Sequence, residues 1–265
     1  MYHLKCKTMK KEPIYVAFAT QKGGAGKTTL TVLVASYLHY VKGYNVAVID
    51  CDFPQHSIVE MRERDLKMAM EDDYYKGMAY EQFTRLDKKA YPIIDSNAAE
   101  ALADADHLIP QGDFDFIFFD LPGTVNNPGV LSTLMNVDYI IAPIAADRVV
   151  MESTLNYLIA LREQVEAIGK THIKEIRLLW NLVDGREKSE LYEVYEAVIR
   201  ELEFTTLKTF IPDSKRFRRE QSIGHKALFR STMFPADKSL VKGSNLDALV
   251  DELLELFDVN SHEQG

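Results

Sequence analysis

Apolar residues follow two rhythms along this chain: short unbroken runs, and longer stretches that repeat about every three to four positions. Unbroken runs bounded by turn residues read as buried strands, and the longer repeats as helices that cover them. Residues 14–20 (IYVAFAT) predict a strand, and residues 28–41 a helix that Gly43 and Tyr44 stop. Residues 45–50 (NVAVID) predict a second strand, with a helix over 55–67. Residues 114–120 (FDFIFFD) are too apolar for either face to meet water, and 139–144 (YIIAPI) read the same way. Asp147 can cap a helix whose apolar face carries Met151, Leu155, Leu158, Ile159 and Val165, and Gly169 ends it. A strand over 175–183, a helix over 187–203 and a strand over 206–211 follow. Ser244 with Asp247 reads as a capping box that opens a final helix with Leu246, Leu249, Val250, Leu253 and Phe257 on its core side.

Strands alternating with helices predict an α/β fold: a mostly parallel, twisted sheet with helices on both faces and ligands bound at the carboxyl ends of the strands. Residues 71–110 depart from the pattern. They are acidic and Tyr-rich, with helical stretches broken at Gly77, Pro92 and Pro110, and read as a helical insertion or a partner-facing surface. The expected organisation is a disordered leader over 1–10, in which Met9 is a second candidate start, a single domain over 11–258, and a tail over 259–265.

Composition narrows the function classes. A chain of 265 residues can bury one large core. Two cysteines and seven scattered histidines offer neither a disulfide framework nor metal-ligand spacing, which predicts a reducing cytoplasm and no structural metal. The basic N-terminus lacks the apolar core of a secretory signal, and no apolar run is long enough to span a bilayer. The net charge of −9 argues against a surface coated for nucleic acid, but residues 208–242 carry nine Lys/Arg against three Asp/Glu. Lys215, Arg216, Arg218 and Arg219 are the densest part, with Lys226 and Arg230 beyond. A solvated basic face is the competing reading of such a run.

The chemistry centres on residues 19–29 (ATQKGGAGKTT), a glycine-rich turn between a predicted strand and a predicted helix. Gly23, Gly24 and Gly26 let successive backbone N–H groups converge on an anion, and the helix N-terminus adds unpaired donors. With Ala25 and Thr29 they frame a phosphate cradle in which Lys27 meets the β- and γ-phosphates and the Thr28 hydroxyl ligates Mg²⁺. Asp120 ends an apolar strand, the position from which a carboxylate holds Mg²⁺ opposite a P-loop.

The loop lacks the first glycine of the general P-loop pattern and has a second lysine, Lys22, before its glycines. This K-G-G-x-G-K-T-T arrangement resembles the deviant Walker A motif of the ParA/MinD ATPases. The resemblance runs from about residue 11 to 257 and is weakest over 71–110. It implies an ATP- and Mg²⁺-dependent ATPase in which Lys22 reaches across a homodimer to the partner's nucleotide. Residues 50–55 (DCDFPQ) resemble the family's D-x-D-x-Q segment, with the Pro-Gln pair one residue late. By that resemblance Asp52 orients the attacking water and Asp50 supports the Mg²⁺ shell, although either acid could instead cap the following helix. Leu121-Pro122-Gly123 after Asp120 resembles the D-x-P switch.

Asn181 heads an N-x-x-D-x-R segment, and its amide suits the adenine edge. Pro212 and Asp213 sit in what resembles the second base-contacting loop; the competing reading is that Asn181 simply ends a strand and Pro212 simply breaks one. Among ParA-type partitioning relatives the C-terminal basic region meets DNA without sequence preference, and a ParB-like partner stimulates slow hydrolysis. The resemblance therefore implies a cytoplasmic, nucleoid-associated switch that segregates a plasmid or other mobile element. The alternative is a MinD-like or protein-cargo-positioning ATPase. A membrane-bound version is disfavoured, because residues 244–265 carry six Asp/Glu and no Lys/Arg. A small-molecule ligase of the same superfamily lacks a second substrate constellation here, and iron–sulfur chemistry lacks cluster cysteines.

Overall fold

A computed structural model describes residues 12–259 apart from 125, 187, 188, 221 and 223. The expected leader over 1–10 with Met9, and all but the first residue of the expected tail, lie outside the described residues.

Among the described residues seven strands form one parallel sheet: β1 (Ile14–Phe18), β2 (Val46–Asp50), β3 (Ile93–Asp95), β4 (Phe116–Asp120), β5 (Tyr139–Ile144), β6 (Glu175–Trp180) and β7 (Thr205–Thr206). Their order across the sheet is β3-β2-β4-β1-β5-β6-β7, and every pairing is parallel. Around it lie α1 (Lys27–Tyr40), α2 (Ser57–Glu71), α3 (Asp73–Leu86), α4 (Ala101–Leu108), α5 (Pro128–Asn136), α6 (Arg148–Ile168), α7 (Ser189–Glu201), α8 (Lys238–Val241) and α9 (Leu246–Leu256). The fold is the doubly covered α/β sheet of a P-loop NTPase.

Period-two alternation divides the core between the faces. Val16, Phe18, Val46, Val48, Phe116 and Phe118 pack with Leu30, Leu33 and Leu38 of α1 and Leu249, Val250 and Leu253 of α9. Ala17, Ala47, Ile49, Ile117 and Phe119 pack with Leu134 of α5 and Leu155 and Leu158 of α6. Every residue of β2, β4 and β5 is buried, as expected of strands covered on both sides.

Several local expectations hold in detail. Asp147 accepts a hydrogen bond from the Val150 N–H at 2.9 Å, and Gly169 takes the left-handed conformation (φ 68°) that closes α6. Others are revised. Gly77 lies inside α3, and residues 93–95 add an edge strand beside β2, so 71–110 contributes to the sheet as well as to helices. Asn127 caps the unanticipated α5 through Gly129, with Pro128 at its first position. The strand expected over 206–211 shrinks to β7, because the Glu252 carboxylate of α9 accepts the N–H groups of Lys208 and Thr209 at 2.6 and 2.8 Å. Ser244 accepts from Leu246 at 3.1 Å rather than from Asp247, so the final helix opens on a different cap from the expected box.

Candidate nucleotide site

Chain order places the site. β1 runs into the loop of residues 19–26, which feeds α1, and β1 lies between β4 and β5 at the centre of the sheet. Lys22, Gly23 and Gly24 are exposed on the loop; Lys27, Thr28 and Thr29 are half-buried in the first turn of α1. Gly24 (φ 80°) and Gly26 (φ 96°) hold left-handed backbone. A Cβ on Gly26 would stand 2.5 Å from Asn181 Nδ2, so glycine is required there both for conformation and for space.

Asp50 and Asp120 face each other in register at the ends of β2 and β4. Both are fully buried, yet their surroundings differ. The Thr28 hydroxyl donates to one oxygen of Asp120 at 2.8 Å, and the other oxygen is buried without a hydrogen-bond partner. Burial, opposed by that hydrogen bond and reinforced by Asp50 and Asp52, pushes the Asp120 carboxyl up to about 7. A buried acid with an unpaired oxygen beside a hydroxyl suits a small hard cation. Among the described residues no group of three His, Cys, Asp or Glu could hold a metal by itself. A cation here would therefore share its shell with phosphate and water, the usual arrangement for Mg²⁺. Burial also lowers the pKa of Lys27, while Asp120 and Asp52 raise it.

The Asp50 carboxylate, expected to support the Mg²⁺ shell or to cap the following helix, meets the start of α2. One oxygen accepts from the N–H groups of Ile58 and Val59 at 2.9 and 3.0 Å. Those are orphan donors of a helix start, and a buried acid satisfies them where no side chain of the helix does. Burial raises the Asp50 carboxyl, and these hydrogen bonds oppose the shift. Asp52 is half-buried and close enough to act electrostatically on both Lys27 and Asp120.

Asn181, expected to meet adenine, is buried and donates Nδ2 to the Ala25 carbonyl at 2.8 Å. It is a strut under the P-loop, and its carbonyl oxygen and second amide N–H are left for another partner. Pro212 and Asp213 are brought beside it: Pro212 bridges Val183, and the Asp213 N–H donates to the Val183 carbonyl at 2.9 Å.

Tertiary structure adds contacts that no motif announces. A Cβ on Gly123 would lie 2.6 Å from the Gln21 carbonyl, so the segment after Asp120 presses against the backbone that starts the P-loop. The Thr20 hydroxyl meets that of Thr154 on α6 at 2.8 Å and anchors the end of β1. The glycine after Pro122 was the only visible signal of the first contact; the second had none.

The six basic residues expected to meet DNA separate into two kinds. Lys215, Arg218, Arg219 and Lys226 are exposed and pair with no acid among the described residues. Arg216 is half-buried and donates to the carbonyls of Leu240 and Lys242, both at 2.7 Å, where α8 ends. Arg230 donates to Thr29 Oγ1 at 2.8 Å and to Glu220. These two arginines are part of the fold, because one closes the end of α8 and the other pairs with a half-buried acid.

The family model for the CobQ/CobB/MinD/ParA nucleotide binding domain matches residues 16–226. The chromosome-partitioning ATPase Soj of Thermus thermophilus is 27% identical over 181 residues, covering 64% of this chain and 70% of Soj. A Cyanothece McdA variant in complex with ATP superposes with a TM-score of 0.63 at 17% identity, over 95% of this chain and 99% of that one. A putative plasmid partition protein (BB_S35) of Borrelia burgdorferi bound to AMPPNP superposes at 0.55 and 17% identity, over 93% and 98%. At such identities the two structures show the shared fold. Among the described residues no helix is long and apolar enough to cross a membrane. On the strength of the matched model, which spans the P-loop, both strand-end aspartates and the basic segment as far as Lys226, the chain belongs to the CobQ/CobB/MinD/ParA nucleotide-binding family.

Proposed function

We propose that residues 11–258 act as one ParA-type ATPase domain, a nucleotide-switched dimer that rides on DNA to segregate or maintain a plasmid or other mobile element. The observation that carries the ATPase is the Thr28–Asp120 pair, with its buried, unpartnered Asp120 oxygen next to Lys27. Thr28 and Asp120 would hold Mg²⁺, which supplies charge neutralisation on the phosphates. Gly23 to Gly26 and the first turn of α1 cradle the phosphates through backbone N–H groups, Lys27 adds its ammonium, and Thr29 borders them. Asp52 orients a water, and Asn181 keeps the loop in shape from below. Pro212 and Asp213 flank the base.

Lys22 is exposed and unpaired among the described residues, which suits a lysine that serves the partner's nucleotide across a homodimer. Lys215, Arg218, Arg219 and Lys226 form the DNA surface, binding phosphates by charge without reading sequence. A ParB-like partner stimulates hydrolysis, and the protein works in the cytoplasm on the nucleoid.

Binding to a random-sequence duplex, measured with ATP, with ADP and without nucleotide at one stated salt concentration, tests this reading. ATP-dependent binding that weakens steeply with salt supports it. Equal binding in all three states, or none, removes the switch.

A further inference from the structure

The basic segment and the P-loop are joined by one side chain. Arg230 reaches across 201 residues of sequence to the Thr29 hydroxyl at 2.8 Å, in the first turn of α1. Its Nε and Nη2 both donate to one oxygen of Glu220, and the other Glu220 oxygen pairs with Arg64 of α2 at 3.1 Å. The backbone closes the same knot, because the N–H groups of Phe229 and Arg230 both donate to the Arg219 carbonyl, at 3.0 and 2.9 Å. Arg230 therefore stands at the base of the loop that carries Arg219 and Lys226 at one end and touches the phosphate cradle at the other.

Three of the five N–H donors of this guanidinium are used, one on Thr29 and two on Glu220. The rest are oriented by a partly desolvated fork whose neighbours are already fixed. Arginine is the side chain best suited to add phosphate oxygens to such a set, since charge-assisted bonds to phosphate are strong and directional. Arg216 makes a useful contrast. It holds the same segment to α8 through carbonyl groups, and among the described residues it makes no hydrogen bond to the P-loop.

We propose that Arg230 is a positioning residue that senses phosphate at the P-loop and tightens the base of the 219–230 loop in response, so that nucleotide sets the geometry of the basic surface. The inference rests on the P-loop binding nucleotide. It assigns the link between the two sites to one guanidinium and its partners Thr29 and Glu220. Phosphates that enter the cradle give Arg230 further acceptors without displacing Glu220, and the loop is held more firmly.

Hydrogen exchange of the full chain, read at the Phe229 and Arg230 amides with and without a non-hydrolysable ATP analogue and Mg²⁺, tests it. Each variant is studied at a concentration of analogue that saturates it. In the wild type the analogue slows exchange about fivefold. Arg230→Gln loses this response, whereas Arg216→Gln exchanges faster in both states but keeps it, which separates sensing from a merely structural role. If Arg230→Gln does not fold, Arg230→Lys, which keeps the charge without the fork, is expected to lose the response too. A fluorescent ATP analogue run on the same samples separates the two readings. No binding to the wild type would overturn both the P-loop reading and the coupling. Binding with unchanged exchange in the wild type, or a response retained in both Arg230 variants, overturns the coupling alone.

Discussion

The phosphate site and the basic segment are both charged regions, but they are built in opposite ways. The phosphate site hangs on the carboxyl ends of the buried strands β1, β2 and β4, and register alone puts Asp50 beside Asp120. The basic segment runs through loops and short turns between β7 and α9, pinned by side chains to α2, α3 and α8. A charge at the end of a regular element takes its place from the element. A charge on irregular chain takes its place from whichever partner it meets, and here two of six basic residues meet the fold itself. Even within the strand-end site the partners decide: Thr28 and a free oxygen make Asp120 a metal candidate, whereas a helix start captures Asp50.

The contrast can be broken most forcefully at the strand ends. Asp52→Ala should still bind ATP but hydrolyse it at least about a hundredfold more slowly in single turnover. Normal turnover would remove Asp52 from the chemistry. Lys27→Ala should lower affinity for a fluorescent ATP analogue by about a hundredfold, since a charged hydrogen-bond donor to phosphate disappears. Retained affinity would mean that the backbone cradle alone binds.

On the basic side, changing Lys215, Arg218, Arg219 and Lys226 together to Glu should weaken duplex binding at least about tenfold and flatten its salt dependence. Analogue affinity should stay within about threefold, because among the described residues none of these side chains bonds to the P-loop. Undiminished DNA binding would place the surface elsewhere.

Smaller effects sharpen the distinction between struts and ligands. Asn181→Ala leaves the Ala25 carbonyl without its donor, so urea unfolding should show a loss of about 2 kcal/mol. Unchanged stability would return Asn181 to the base pocket. Arg216→Gln should cost about 1 kcal/mol by releasing the carbonyls that end α8, with DNA affinity unaltered. A drop in DNA affinity at unchanged stability would put Arg216 back on the DNA surface.

The sequence made most of the sheet legible because its central strands are buried on both faces and therefore continuously apolar, as in FDFIFFD ending at Asp120. It was least legible where pairing depends on distant chain. The edge strand β3 has only three residues, and β7 is cut short by a carboxylate from α9. Asn127-Pro128 did carry a helix-start signal, which explains α5 in retrospect.

By itself, the sequence determined the phosphate loop, the acid that ends β4, the alternation of strands with helices, and the concentration of positive charge after residue 208. These are local facts, set by backbone freedom at glycine, by the period of apolar residues and by composition. Tertiary structure alone decided which acid keeps an open oxygen, which basic residues remain on the surface, and that Arg230 joins Thr29 to Glu220. The reason is that a buried polar group must be paired, and its partner in three dimensions lies tens or hundreds of residues away in the chain.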